Sequence, residues 1–128
     1  MKTANVAEAV KSEHAVALLK QMYGENRVEE NAARYQLVAD GFAKEFGDKA
    51  FEFFSAPGRT EIGGNHTDHN HGKVLAGSVH LDCVAAAAPN GTHTVNLISE
   101  TYNQHLVIDL DDLAPTEKTT GTEPLLKG

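Results

Sequence analysis

Three imidazoles and a carboxylate fall within six positions at His66-Thr-Asp68-His69-Asn-His71, and an arginine, a second carboxylate and an amide precede them at Arg59, Glu61 and Asn65. Two chemistries suit that set. Imidazole nitrogens and a carboxylate oxygen are ligands for zinc and other borderline metals, so His66, Asp68, His69 and His71 outline a metal-dependent hydrolase. Against it, neighbours in a short loop point in different directions, and ligating histidines need partners on their second nitrogen that the sequence does not display. The plainer reading leaves His69 and His71 in solvent and has Asp68 cap a turn. The second chemistry is polyol recognition, in which carboxylates, amides and imidazoles exchange several hydrogen bonds with sugar hydroxyls; Glu61, Asn65, His66 and Asp68 are of the right types. The permanent charge of Arg59 suits a phosphoryl oxygen or a developing oxyanion, and equally a simple ion pair with a carboxylate.

The elements around these residues can be read from spacing. Ser55 to Gly72 is rich in Gly, Asn and Asp and reads as a working loop, released from a strand over Phe51–Ala56 that Pro57 should end. Upstream, Val6, Val10, Ala17, Leu18 and Met22 predict one helix from Asn5 to Tyr23, with Gly24 as its stop. Tyr35, Val38, Phe42 and Phe46 predict a second from Glu29 to Phe46, ended by Gly47 in the αL conformation and packed on a sheet. Downstream, Lys73–Ala76 is extended and Val79–Ala88 is a strand, although four consecutive alanines leave a helix open. The Asn90-Gly91 pair predicts a hairpin joining that strand to Thr94–Ser99, and His105–Leu110 alternates as a further strand. The expected class is α+β, with N-terminal helices packed on a mixed or antiparallel sheet. The expected organisation is a helical region over 1–50, a sheet carrying the loop 55–75 over 51–113, and a linker with a helix start over 114–128.

The 128 residues carry a net charge of −7 without a cluster of Lys or Arg, which argues against nucleic acid or an anionic membrane as partner and favours a neutral solute. Cys83 is the only cysteine, so no intramolecular disulfide forms. Glu8 and Glu13 interrupt the region where a signal peptide needs an apolar core, and the longest apolar run falls far short of the roughly 20 residues of a membrane span. A cytoplasmic location is expected.

The stretch Ala56-Pro-Gly-Arg-Thr-Glu-Ile-Gly-Gly-Asn-His-Thr-Asp-His-Asn-His-Gly-Lys-Val-Leu75 resembles the galactokinase signature of the small-molecule kinases that include homoserine, mevalonate and phosphomevalonate kinases, the GHMP kinase family. The resemblance runs on through Val79-His-Leu-Asp82 and the Asn90-Gly91 pair, and takes in the helices before Phe51. It implies an incomplete N-terminal domain of the ribosomal protein S5 domain 2-like fold. It also implies ATP- and magnesium-dependent phosphorylation of galactose at its anomeric hydroxyl, with galactose and ATP as ligands of the complete enzyme. By motif position, Arg59 would stabilise the transferring phosphoryl group beside the reacting hydroxyl, and His66 and Asp68 would bind sugar hydroxyls. Asn65 stands where the family usually has a sugar-binding glutamate, and Glu61 where it has asparagine, so both join the substrate-binding set as an exchanged acid and amide. Gly63 replaces a usual aliphatic residue and His69 a usual tyrosine.

The resemblance also implies parts this sequence lacks, a Gly-Ser-rich phosphate loop and a catalytic aspartate. ATP and magnesium are therefore not expected to bind this chain tightly, and it is not expected to turn over alone. A non-catalytic galactose-binding or sensing module on the same scaffold is the alternative. Thr120-Gly-Thr-Glu123 has the capping-box form and Pro124–Lys127 reads as a first helical turn, after which the sequence stops. It is expected to be part of a longer one, with an unpaired sheet edge and an apolar face that favour self-association.

Overall fold

A computed structural model describes residues 1–64, 71–114 and 122–127. The chain divides into two compact units, Met1–Ala88 and Pro89–Gly128. It is α+β, with two antiparallel two-stranded sheets.

In the first unit a 3-10 turn leads into α1 (Val6–Ala9), followed by α2 (Glu13–Tyr23) and α3 (Val28–Phe46). The single helix expected from Asn5 to Tyr23 is thus two. Ser12 makes the break: its backbone is extended, its Oγ donates to the Ala9 carbonyl at 2.7 Å, and it accepts from the Ala15 N–H at 3.3 Å as the N-cap of α2. A serine at this position satisfies a helix-end donor that a continuing helix has no need of. Gly24 and Gly47 end α2 and α3 with φ of 87° and 79°. Gly47 has an extended ψ, not the αL value, so the chain leaves α3 heading straight for the sheet.

The first sheet pairs β1 (Glu52–Gly63) with β2 (Leu75–Ala87). Two expectations fail here. The strand does not end at Pro57 but runs on through Arg59 and Glu61 to Gly63; residues 65–70 of the expected loop lie outside the described residues. Pro57 is tolerated because the pairing is irregular right after it and because each strand of a two-stranded sheet has an open edge where a missing N–H costs no ladder bond. The extended pieces expected at Lys73–Ala76 and Val79–Ala88 merge into one strand, Leu75–Ala87, and three of the four alanines are in it, alternating half-buried and exposed.

The core of this unit is Val6, Ala39, Phe42 and Phe51, with Val10, Phe46, Phe53 and Ala86 packed against it. Its rings form a run: Phe46 to Phe42 at 5.2 Å, Phe42 to Phe51 at 4.8 Å, Phe51 to Phe53 at 5.2 Å and Phe53 to Tyr35 at 5.0 Å. The last two meet edge to face, the favoured geometry for aromatic pairs. The helical stripe on α3 therefore packs on Phe51, just ahead of β1, and on Phe53 within it, as its spacing predicts.

In the second unit β3 (Thr94–Ser99) pairs with β4 (Gln104–Asp109), closed by a turn in which Asn103 takes φ of 48°. The Asn90-Gly91 hairpin does not form, because β2 and β3 lie in different sheets. Asn90 instead builds a local turn, accepting from the Thr92 N–H at 2.9 Å and donating to the Thr94 carbonyl at 2.8 Å. The same side-chain chemistry that suits a hairpin serves here as a connector. The six-residue α4 (Thr122–Lys127) carries a Glu123–Lys127 pair at 3.7 Å, and Thr122 Oγ1 donates to Gln104 at 3.0 Å. The expected capping residue Thr120 lies outside the described residues.

No helix among the described residues is long and apolar enough to cross a membrane.

Candidate functional site

Strand periodicity puts Arg59 and Glu61 on one face of β1, and their side chains meet at 3.8 Å. The Arg59 side chain is 75% exposed and that of Glu61 30%, so the guanidinium is available to a ligand and the carboxylate turns it without removing it from water. The remaining residues of the candidate sugar set, Asn65, His66 and Asp68, lie outside the described residues, as does His69. His71 is exposed, at a turn with φ of 57°. Among the described residues no group of three or more His, Cys, Asp or Glu is placed to hold a metal.

A register irregularity between Pro57 and Arg59 sets where Arg59 stands. Pro57 pairs with Asp82, yet Arg59 pairs with Ser78, so Val79, His80 and Leu81 on β2 oppose Gly58 alone on β1. The bulge closes over Gly58: a Cβ there would lie 3.2 Å from both the Leu81 carbonyl oxygen and Val79 Cγ2. Such bulges bend a strand and re-aim the side chains that follow.

Next to the bulge lies a polar cluster whose partners sequence spacing does not reveal. The Asp82 side chain is 4% exposed. Its Oδ2 accepts from Tyr23 Oη at 2.6 Å and from Ser55 Oγ at 2.5 Å, and its Oδ1 accepts from Arg34 Nη1. Arg34 Nη2 also donates to the Asp82 backbone carbonyl at 2.6 Å, and Tyr23 Oη lies 3.2 Å from Tyr35 Oη. Burial pushes the Asp82 carboxyl up, but the hydrogen bonds from Ser55, Tyr23 and Arg34 and the Arg34 charge outweigh it and hold the group below the usual carboxylate range. Burial and the bond to Asp82 push the Tyr23 hydroxyl well above its ordinary value. The cluster ties α2, α3, β1 and β2 together. One signal for it existed in the sequence: Asp82 occupies the same strand phase as Val84, Ala86 and Ala88, and a carboxylate in an inward phase demands partners.

An open depression of about 360 Å³ lies against this corner, lined by Met22, Tyr23, Ser55, Pro57, Ser78 and His80 among others, and reaching Asp82. Its size falls within the range of small-molecule sites.

Residues 40–89, which hold the bulge, Arg59, Glu61 and Asp82, match a family model described as the galactokinase galactose-binding signature. The chain is related to the N-terminal portion of galactokinases. Among curated relatives, it is similar to the galactokinase of Lactococcus lactis subsp. cremoris (strain MG1363), 37% identical over 67% of this chain and 22% of the relative. The galactokinase of Lactococcus lactis subsp. lactis (strain IL1403) is 36% identical over 73% of this chain and 24% of the relative. That of Lacticaseibacillus casei (strain BL23) is 36% identical over 57% and 19% respectively. The chain thus spans about a quarter or less of the galactokinases it matches. No solved structure gives a significant match.

Proposed function

We propose that this chain is the galactose-recognising N-terminal portion of a GHMP-type sugar kinase, of the ribosomal protein S5 domain 2-like fold, whose complete form phosphorylates galactose at the anomeric hydroxyl. The observation that carries the reading is the galactokinase signature over residues 40–89, with Arg59 presented on a strand, its guanidinium open to solvent beside Glu61. Arg59 would donate to the oxygens of the transferring phosphoryl group, Glu61 would orient that guanidinium and accept from a sugar hydroxyl, and Asn65, His66 and Asp68 would complete the hydroxyl contacts. The protein's part in phosphoryl transfer is mostly positioning and charge stabilisation, and these residue types supply both.

The nucleotide is a separate matter. A triphosphate needs a Gly-rich turn presenting backbone N–H groups at a helix N-terminus. The described helices begin instead with acidic first turns: Glu8 in α1, Glu13 in α2, Glu29 and Glu30 in α3, and Glu123 in α4. These carboxylates repel a triphosphate, so the helix starts among the described residues offer it no cradle. The reading therefore predicts that this chain binds galactose without turning it over, which makes a sugar-binding role the function it can perform by itself. Titration of the labelled chain with galactose, followed by amide chemical shifts, tests it. Saturable shifts at Arg59–Gly64 that glucose fails to produce support recognition; no shift at millimolar galactose removes it. ADP release from ATP in the presence of galactose would overturn the separation of binding from catalysis.

A further inference from the structure

Arg59 has no packed environment of its own, so something other than its side-chain contacts must fix its position. The bulge immediately before it has two sides. On β1, Ser55 and Pro57 precede Gly58; on β2, Asp82 ends the three-residue excursion Val79–Leu81. Asp82 also draws donors from α2, α3 and β1 onto one carboxylate. Of those donors, Ser55 alone comes from the strand that carries Arg59.

We propose that Asp82 is a positioning residue for Arg59: anchored to the helices by Tyr23 and Arg34, it grips β1 through Ser55 and so fixes the bulge that sets where the arginine is presented. Slack in the Ser55–Asp82 bond lets β1 slide towards the regular register, in which Arg59 would stand opposite His80 instead of Ser78. The link to ligand binding rests on the sugar-recognition reading above; the mechanical part does not.

The test uses the 15N-labelled chain, with amide hydrogen exchange read residue by residue. Ser55→Ala removes the grip and leaves the Tyr23 and Arg34 bonds intact. Exchange at Arg59, Thr60, Glu61 and Ser78 should quicken about tenfold while α2 and α3 keep their protection, as expected for a local opening that loses one charge-assisted bond. Ser55→Thr, which keeps the hydroxyl, should restore the wild-type pattern. Gly58→Ala strains the bulge from the other side without touching Asp82 and should loosen the same amides; it takes over the test should Ser55→Ala fail to fold. Wild-type protection at Arg59–Glu61 in these variants, or equal loosening of α2 and α3, overturns the proposal. Galactose titration separates the two readings. Weaker binding by Ser55→Ala and by Arg59→Ala alike supports the link, and unchanged binding by Ser55→Ala overturns it. A wild-type chain that does not bind galactose defeats the sugar reading alone, since exchange still decides the mechanical proposal.

Discussion

From Phe51 to Ser55 the first strand lies against aromatic rings and delivers a hydroxyl to the buried Asp82 carboxylate, whereas from Arg59 to Gly63 the same strand is exposed along its length. One half is packed by side chains, and the other is paired through the backbone with its side chains mostly in water. On the proposed sugar-binding reading, the difference would separate stability from recognition within a single twelve-residue strand: the half that faces helices would fix the half offered to a ligand, with the bulge at Gly58 as the boundary. A site built this way keeps its polar groups hydrated and available, at the cost of depending on the rigidity of its neighbour.

The strongest way to break the contrast is Asp82→Ala. It takes the carboxylate away from Ser55 Oγ, Tyr23 Oη and Arg34 Nη1 while Arg34 Nη2 keeps the backbone carbonyl, and removing one partner of a buried charge pair costs roughly 3–5 kcal/mol. Partial exposure of Arg34, whose side chain is 37% exposed, puts the expectation at the lower end. Urea denaturation should show it as a large fall in midpoint with an unchanged m-value. Gly64→Ala attacks the exposed half where it turns. Gly64 has φ of 84° and a Cβ there would sit 2.1 Å from the Lys73 carbonyl oxygen, so the strand end must shift. An expected loss of about 3 kcal/mol combines the left-handed penalty with that displacement, and the same melt checks it.

Tyr23→Phe is a finer probe of the anchored half, removing one donor to a charged acceptor, worth about 2 kcal/mol. Its signature is in pH. The Asp82 carboxyl is depressed, so its contribution is complete above the ordinary carboxylate value of about 3.9 and is lost as pH falls through the folded-state value. The Tyr23 hydroxyl is raised, so its contribution is complete below the ordinary phenol value of about 10 and is lost as pH rises beyond it. Stability of the wild type should therefore be flat through neutrality and fall at both extremes. Tyr23→Phe should flatten the alkaline fall and keep the acid one; an alkaline fall that persists unchanged would show that Tyr23 is not its source.

How far the sequence reveals this arrangement follows the same boundary. The stripe Tyr35, Val38, Phe42 and Phe46 announces α3 and its packing because apolar spacing is a local signal. The signature residues leave two chemistries open by type, metal ligation and polyol recognition, and only the resemblance of the whole stretch favours the second. Ser12 splitting a helix, Pro57 sitting inside a strand and Asn90-Gly91 joining different sheets are hidden, because each residue type serves two structures and pairing across the chain decides between them. Asp82 is hidden for a related reason: its meaning comes from Tyr23 and Arg34, 59 and 48 residues away.

Arg59→Ala should leave the smallest mark on stability and the clearest on function. The guanidinium meets Glu61 at 3.8 Å with most of its surface in water, and exposed pairs of that kind contribute between nothing and about 1 kcal/mol. A melt within about 0.5 kcal/mol of wild type is expected. Galactose binding should nevertheless weaken, because Glu61, the proposed acceptor for a sugar hydroxyl, loses the charged partner beside it. Ser55→Ala should reduce binding for a different reason, by moving an intact arginine. The double variant distinguishes the two: if Ser55 acts through Arg59, removing Ser55 from a chain already lacking the arginine should cost little further affinity, and additive losses would show that the two halves of the strand reach the ligand independently.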